Sequence, residues 1–188
     1  HYPFAYNPDD WPVLQAYLLA SRAPVNEAVA RWIASVWQPG EEIESYALLQ
    51  RLNLAIHSLI SYQRREEPGV QSPNETLTSA SGSCRDLAFL FMEAAKRLGF
   101  AARFVSGYSC TSHAPTDGGS THAWAEVFLP GAGWKGFDPT RGEIVGADHI
   151  PVAVGRLPHF VPPIAGSFSG EEEWPSMEVA VTVERLSS

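Results

Sequence analysis

Several large protein classes are excluded by what this sequence lacks. It has only two cysteines in 188 residues, too few for a disulfide framework, and a chain of this length can bury a core without one. Its longest strongly apolar stretch covers six positions, 87–92, and charges flank it. A transmembrane helix needs about 18 or more apolar residues. We therefore expect a single soluble domain that does not associate with a membrane.

Positive charge is also scarce. Lysine and arginine number 13 against 21 aspartates and glutamates, so the net charge is −8. This sign is wrong for a surface that neutralises phosphates, and nucleic acid is not an expected partner. The low cysteine usage favours a reducing, cytoplasmic location.

The period of apolar residues changes along the chain, from helical spacing in the first half to alternation in the second. The predicted helices are a short one after Asp10, one that opens at Asn26, and two that span 42–62 and 84–98. The predicted strands are 101–108, 121–129 and 133–138, with 150–154 and 177–185 as weaker candidates. Segment 64–83 lacks periodicity and is predicted to be a long surface connection. Helices followed by strands indicate an α+β fold.

The first turn of the helix predicted over 84–98 carries a cysteine. Ser83 and Asp86 have the spacing of a capping box, which places Cys84 at the helix N-terminus. Unpaired backbone N–H groups and the helix dipole stabilise a thiolate there, and a thiolate is the reactive form of cysteine. Arg85 would strengthen this effect and Asp86 would weaken it.

A thiol nucleophile needs a base, and His122 is the histidine that begins an alternating strand. Asp138 ends the next strand. If the hairpin turns about Pro130, these two side chains are direct cross-strand neighbours, with Cβ atoms about 4.5–5.5 Å apart. Asp138 could then orient the imidazole of His122 toward Cys84, as in a nucleophile–base–acid triad. A register slip of one residue would separate them.

Each signal has a simpler interpretation when it is taken alone. A cysteine on an apolar helix is usually a small buried hydrophobe, and an Asp-Pro pair is usually a turn. The three segments together favour a triad. The glycine pattern of 131–136 is better explained as a hairpin loop than as a dinucleotide site, because a strand follows it. Cys110 and His113 favour a surface loop over half of a zinc site.

Four segments, 81–88, 101–108, 121–128 and 133–140, resemble the transglutaminase-like superfamily of cysteine enzymes in order and spacing. Segments 146–150 and 154–156 resemble its bacterial cysteine peptidase subgroup. The resemblance implies a papain-like core, with N-terminal helices and a central cysteine-bearing helix packed on an antiparallel sheet. It implies that Cys84 is the nucleophile, His122 the base and Asp138 the orienting acid. Acyl transfer would proceed through a thioester, without a metal or redox cofactor.

The same resemblance bears on domain organisation. Subgroup members usually carry a β-rich domain before this core, and residues 2–6 resemble the junction. We therefore expect residues 1–188 to be a catalytic domain that forms the C-terminal part of a longer protein. Residues 157–160 depart from the acidic and aromatic stretch of the subgroup, so the rim of the cleft is expected to differ.

The expected activity is hydrolysis of amide bonds in a peptide or protein substrate. The alternatives are a protein-glutamine cross-linking transglutaminase and a non-catalytic protein-binding module. One oxyanion donor is expected to be the backbone N–H of Cys84, at the helix start. Gln71 and Tyr62 are the candidates for the second donor, and His149 is a candidate for an outer role beside the triad.

Overall fold

The computed structural model describes residues 1–20, 27–65, 67–110, 121–167, 169 and 181–183. Within these ranges, no helix is both long and apolar enough to cross a membrane.

Three helices form the N-terminal part of the molecule: α1 (Trp11–Leu18), α2 (Glu27–Val36) and α3 (Ser45–Leu59). Apolar residues at helical spacing give α2 and α3 each a buried face. The buried apolar residues of α3 are Leu48, Leu49, Leu52 and Ile56. This helix is shorter than predicted, because Glu44 and Ile60 at its two ends have extended backbones.

The segment 64–83, predicted to be a long surface connection, contains a helix and a short strand, so that prediction is wrong. Helix α4 (Pro73–Ser79) is followed by strand β2 (Ser81–Gly82), which pairs in parallel with β1 (Ser61–Tyr62). At the start of α4, the Ser72 hydroxyl accepts from the backbone N–H of Glu75, whose carboxylate accepts from the N–H of Ser72. This capping box stabilises the start of a helix that has no long apolar stripe. The period of apolar residues therefore gives no sign of α4.

Helix α5 (Cys84–Arg97) is the predicted central helix, and it is buried on nearly all sides. Even its charged residues Asp86, Glu93 and Lys96 are inaccessible to solvent or nearly so. Two residues after the end of the helix, Gly99 has a φ of 85°, a left-handed conformation that glycine adopts without strain and that stops the helix from continuing.

Five antiparallel strands form the main sheet in the order β6-β5-β4-β3-β7. They are β3 (Ala102–Ser109), β4 (Thr121–Leu129), β5 (Gly133–Asp138), β6 (Glu143–Ile144) and β7 (His149–Gly155). Helix α5 packs on β4 and β3, so the cysteine-bearing helix lies against the centre of the sheet. The α+β prediction is confirmed. Strand β6 was not predicted, and the candidate strand 177–185 lies outside the described residues except at 181–183, which form no strand.

Candidate active site

Cys84 is the first residue of α5, and its thiol is free. It lines a cavity of about 930 Å³ together with His122 from the start of β4. The helix start therefore brings the cysteine to a cleft wall, although only 9% of the residue is exposed. The backbone N–H groups of a first helical turn lack partners within the helix, so this position also offers hydrogen-bond donors.

The β4–β5 hairpin brings His122 to Asp138, but not in the predicted register. Phe128 pairs with Trp134, so the hairpin turns about Gly131 instead of Pro130. His122 and Asp138 are therefore diagonal neighbours, and the prediction that they are directly opposed is wrong. The physical reason is a three-residue loop, 130–132, in which Gly131 has a φ of 77°.

The shift preserves the face of the sheet, because it displaces one strand by two residues and side chains alternate with a period of two. A diagonal pair on one face lies within reach of long side chains. The imidazole Nε2 of His122 contacts the Asp138 carboxylate oxygen Oδ2 at 2.7 Å. The structure thus brings together Cys84, His122 and Asp138.

Asp138 is fully buried, and each of its carboxylate oxygens has two partners. Oδ1 accepts from the backbone N–H groups of Thr140 and Arg141, at 3.0 and 3.3 Å. Oδ2 accepts from His122 and also from Nε2 of His149, at 3.0 Å. Burial alone would raise the pKa of Asp138, but the hydrogen bonds from the two histidines lower it far below its usual value. The carboxylate is therefore ionised at neutral pH.

His149 is a residue for which the sequence suggested only an outer role. It is the first residue of β7 and is buried, and its Nδ1 accepts from the backbone N–H of Gly146 at 3.4 Å. This contact leaves the proton on Nε2, which donates to Asp138. His149 therefore helps to fix the carboxylate of Asp138, which in turn orients His122.

The charge state of His122 is set by two neighbours. Burial disfavours the charged imidazole, but hydrogen bonds with Asp138 and Cys84 outweigh it and raise the pKa of His122 to about 9. Because Nε2 faces Asp138, the other ring nitrogen, Nδ1, is left for the sulfur. This arrangement favours the protonated imidazole beside the sulfur of Cys84 at neutral pH.

Trp124 packs beside the two histidines and is completely buried. Its ring centroid is 6.2 Å from that of His122 and 5.2 Å from that of His149. Gly107 of β3 pairs with His122 across the sheet. A Cβ at Gly107 would lie 2.7 Å from the Trp124 ring and would collide with the carbonyl oxygen of Ile150. The absence of a side chain there allows the indole to support both imidazoles.

A second buried carboxylate, that of Asp86, lies two residues after Cys84 in the same first turn of α5. Its oxygens accept two hydrogen bonds from Nη1 of Arg65, at 2.8 and 2.9 Å, and one from the Gln71 backbone N–H at 2.7 Å. The backbone N–H of Ser83 also donates to it, as the capping-box prediction requires. Burial opposes the charge, yet these donors lower the pKa of Asp86. The segment before α4 is thus tied to the cysteine-bearing turn.

The two candidates for a second oxyanion donor lie in different surroundings. Tyr62 lines the cavity, whereas Gln71 is not among the described lining residues. The side-chain oxygen of Gln71 accepts from the Thr76 hydroxyl at 3.2 Å, a contact that joins this side chain to α4. Cys110 is also a free thiol, and His113 lies outside the described residues.

One group of described side chains has the composition of a metal site. Ligand atoms of His122, Asp138 and His149 lie within 4.8 Å of one another. Both imidazoles direct Nε2 at one carboxylate oxygen, so the hydrogen bonds account for the cluster without an ion.

Comparison with known proteins identifies the family. The transglutaminase-like superfamily matches residues 30–139, a range that contains Cys84, His122 and Asp138. The chain belongs to this superfamily.

The curated relatives are bacterial. An uncharacterised protein of Mycobacterium tuberculosis is 30% identical over 168 residues, which is 85% of this chain and 53% of the relative. One of Mycobacterium leprae is 32% identical over 123 residues, covering 63% of this chain and 43% of the relative. The chain thus spans about half the length of the curated relatives that it matches.

Solved structures share the fold at low sequence identity. A candidate cysteine protease from Cytophaga hutchinsonii superposes with a TM-score of 0.62 at 24% identity, over 81% of this chain and 48% of that one. LapG of Legionella pneumophila has a TM-score of 0.52 at 17% identity, over 68% and 72%. The periplasmic domain of TgpA from Pseudomonas aeruginosa has a TM-score of 0.51 at 21% identity, over 73% and 49%. These likenesses establish the fold.

Proposed function

We propose that this domain is a cysteine hydrolase that cleaves amide bonds of peptides or proteins through Cys84, His122 and Asp138. The observation that carries the proposal is a helix-terminal thiol and an imidazole that line one cavity, with a buried carboxylate bound to the imidazole. A histidine between a thiol and a carboxylate is the arrangement that activates a cysteine nucleophile.

The proposed reaction has two halves. The thiol of Cys84 gives its proton to His122, and the resulting thiolate attacks the carbonyl carbon of the substrate. The tetrahedral oxyanion accepts a hydrogen bond from the Cys84 backbone N–H. His122 then gives its proton to the leaving amine as the carbon–nitrogen bond breaks, which leaves a thioester. Water attacks the thioester carbon while His122 removes a proton from the water. The carbon–sulfur bond then breaks, the carboxylic acid product departs, and the proton held by His122 restores the resting Cys84–His122 pair.

Asp138 does not exchange protons in this scheme. Its oxygen fixes the ring of His122 through Nε2, so that Nδ1 faces the sulfur, and it stabilises the imidazolium. His149 acts as a positioning residue, because its bond to the same oxygen restricts the carboxylate.

Alkylation by iodoacetamide tests the first half of the proposal. Cys84 should be alkylated near neutral pH much faster than Cys110, which serves as the control within the same chain and which lacks an imidazole partner in the described part of it. Peptide mapping by mass spectrometry assigns the modified cysteine. Equal rates at the two thiols would refute the assignment of Cys84 as the nucleophile.

A substrate assay separates the alternatives. A glutamine-containing protein is incubated with the enzyme and a labelled primary amine, with Cys84→Ala as the control. A hydrolase cleaves the chain or releases ammonia without incorporating the amine, whereas a cross-linking transglutaminase releases ammonia and attaches the amine in its place. A binding module does neither. We expect hydrolysis that Cys84→Ala abolishes, and Cys84-dependent amine incorporation would replace the hydrolase with a transglutaminase.

A further inference from the structure

The charge of the cavity is opposite to that of the chain. Although the net charge is −8, the described residues that line the cavity beside Cys84 include three arginines and no aspartate or glutamate. The arginines are Arg64, Arg65 and Arg85. A cleft of one sign concentrates ligands of the opposite sign.

Arg65 does not contribute a free positive charge. Its guanidinium makes two hydrogen bonds to the buried carboxylate of Asp86 and lies 3.5 Å from Glu67. Its charge is therefore compensated within the protein, and its role is to anchor the segment before α4.

Arg85 has a different set of partners. It follows Cys84 in the first turn of α5, and its Nη2 donates to the backbone carbonyl oxygens of Arg65 and Glu67, at 3.3 and 3.2 Å. These acceptors are neutral, so they hold the side chain in place without cancelling its charge. Arg64 is exposed at the same wall, and within the described ranges neither arginine forms an ion pair with a carboxylate.

The rest of the cavity wall is largely apolar. Phe89, Phe104, Leu157 and Val161 contribute to it, and its volume of about 930 Å³ accommodates several residues of a peptide. Two cations beside such a wall, of which Arg85 is held in place by hydrogen bonds, match a ligand that has apolar groups and one carboxylate. Guanidinium groups recognise carboxylates well, because they can donate two parallel hydrogen bonds.

We propose that Arg85 and Arg64 select substrates that carry a carboxylate close to the amide bond attacked by Cys84. This inference rests on the proposed function, because it names the substrate class of the same site. The carboxylate is supplied by an aspartate or glutamate side chain, or by the C-terminus of a peptide.

A pair of alkylating reagents tests the inference without a known substrate. Iodoacetate and iodoacetamide transfer similar groups to sulfur with loss of iodide, but only iodoacetate is an anion. The ratio of their rates at Cys84 therefore reports the local charge, and effects of a variant on thiol reactivity largely cancel in it. Wild type is compared with Arg64→Gln, Arg85→Gln and the double variant. Arg31→Gln is the matched control, because Arg31 pairs with Glu27 on α2 and is not a described lining residue.

The double variant should lower the iodoacetate-to-iodoacetamide rate ratio by about three- to tenfold at low salt, the effect of two unit charges near the sulfur at high effective dielectric. Arg64→Lys with Arg85→Lys should restore most of the ratio, since lysine keeps the charge. Added salt of about 0.5 M should reduce the difference between wild type and the double variant. Arg31→Gln should match wild type.

Matched peptides then distinguish the source of the carboxylate. Peptides that differ only by Glu or Gln beside the cleaved bond test a side-chain carboxylate, and peptides with a C-terminal acid or amide test a terminal one. Wild type should favour one acidic member of these pairs by about tenfold in kcat/KM, and the double variant should lose this preference.

The two failures are distinguishable. If iodoacetamide modifies Cys84 no faster than Cys110, the proposed function fails. If Cys84 is reactive but its reagent ratio is the same in wild type and the double variant, the carboxylate preference is wrong while the nucleophile stands.

Discussion

Two buried carboxylates lie near Cys84, and they differ in their partners. Asp86, in the first turn of α5, is bound by a guanidinium and by the backbone N–H groups of Gln71 and Ser83. Asp138 is bound by two imidazoles and by backbone N–H groups at the end of β5. Neither carboxylate is exposed, and in both cases hydrogen bonding outweighs the desolvation that would raise the pKa.

The difference between the two sites lies in what their partners can do. A guanidinium keeps its proton at all ordinary pH values, so the Asp86 site can only hold its chain segments together. An imidazole can release and recover a proton near neutral pH, so the Asp138 site can take part in catalysis. Burial and a shifted pKa therefore do not by themselves identify a catalytic carboxylate. A catalytic carboxylate is identified by whether the group bound to it can gain and lose a proton near neutral pH.

The largest expected effect comes from Asp138→Asn. The variant should lower amidase activity by about 10³- to 10⁴-fold, because the amide no longer fixes the tautomer of His122. Its far-ultraviolet circular dichroism should stay close to that of wild type. Activity and the rate of Cys84 alkylation are the measurements. Retention of more than a tenth of the activity would show that another group orients His122.

Asp86→Asn should affect stability instead. The free energy of unfolding should fall by about 3–5 kcal/mol, because the variant leaves the Arg65 charge without its main partner. Urea denaturation at neutral pH measures this loss. Adding Arg65→Met to Asp86→Asn should recover part of it, since no unpaired charge then remains. A loss below about 1 kcal/mol would contradict the structural role of this ion pair.

His149 provides an intermediate case, because it acts on His122 only through Asp138. His149→Ala should reduce kcat by about tenfold. This is the lower end of the losses found when a residue that hydrogen-bonds a metal ligand is replaced, and His149 bears the same relation to His122 through Asp138. His149→Asn should recover part of the loss, because its amide can still donate to Asp138. The pH profile of kcat should also shift in the alanine variant. Equal activity in His149→Ala and wild type would show that His149 has no positioning role in the active site.

The smallest expected effect is a pH dependence of stability. The folded pKa of His122, about 9, lies above its ordinary value of 6.5. Its charged form therefore contributes stability fully below about pH 6.5, and this contribution is lost as the pH rises through 9. The difference in unfolding free energy between wild type and His122→Gln should shrink between pH 6.5 and pH 9. A difference that is constant over this range would contradict the raised pKa of His122.

The parts of the fold that local patterns predicted are those with strong periodicity. Helix α5 and strands β3, β4 and β5 lie within one residue of their predicted bounds, because apolar spacing is set by the face that each element buries. The alternation of β4 and β5 also placed His122 and Asp138 on one face. Helix α4 was missed because seven residues without an apolar stripe give no period, although Ser72 and Glu75 have capping-box spacing.

Other features depend on geometry that no local pattern contains. The hairpin register is set by the conformation of residues 130–132, where a loop of three residues displaced the expected pairing by two. The contact of His149 with Asp138 joins β7 and β5, which are separated by β3 and β4 in the sheet. Strand order decides that contact, and the sequence alone does not specify strand order.

Gly107 has a consequence for how this protein tolerates mutation. It carries no functional group, yet even a methyl group there would displace the indole that supports His122 and His149. A saturation scan under selection for activity should therefore score every replacement at position 107 as deleterious, alanine included. A residue with no side chain would then appear as intolerant as the proposed nucleophile itself.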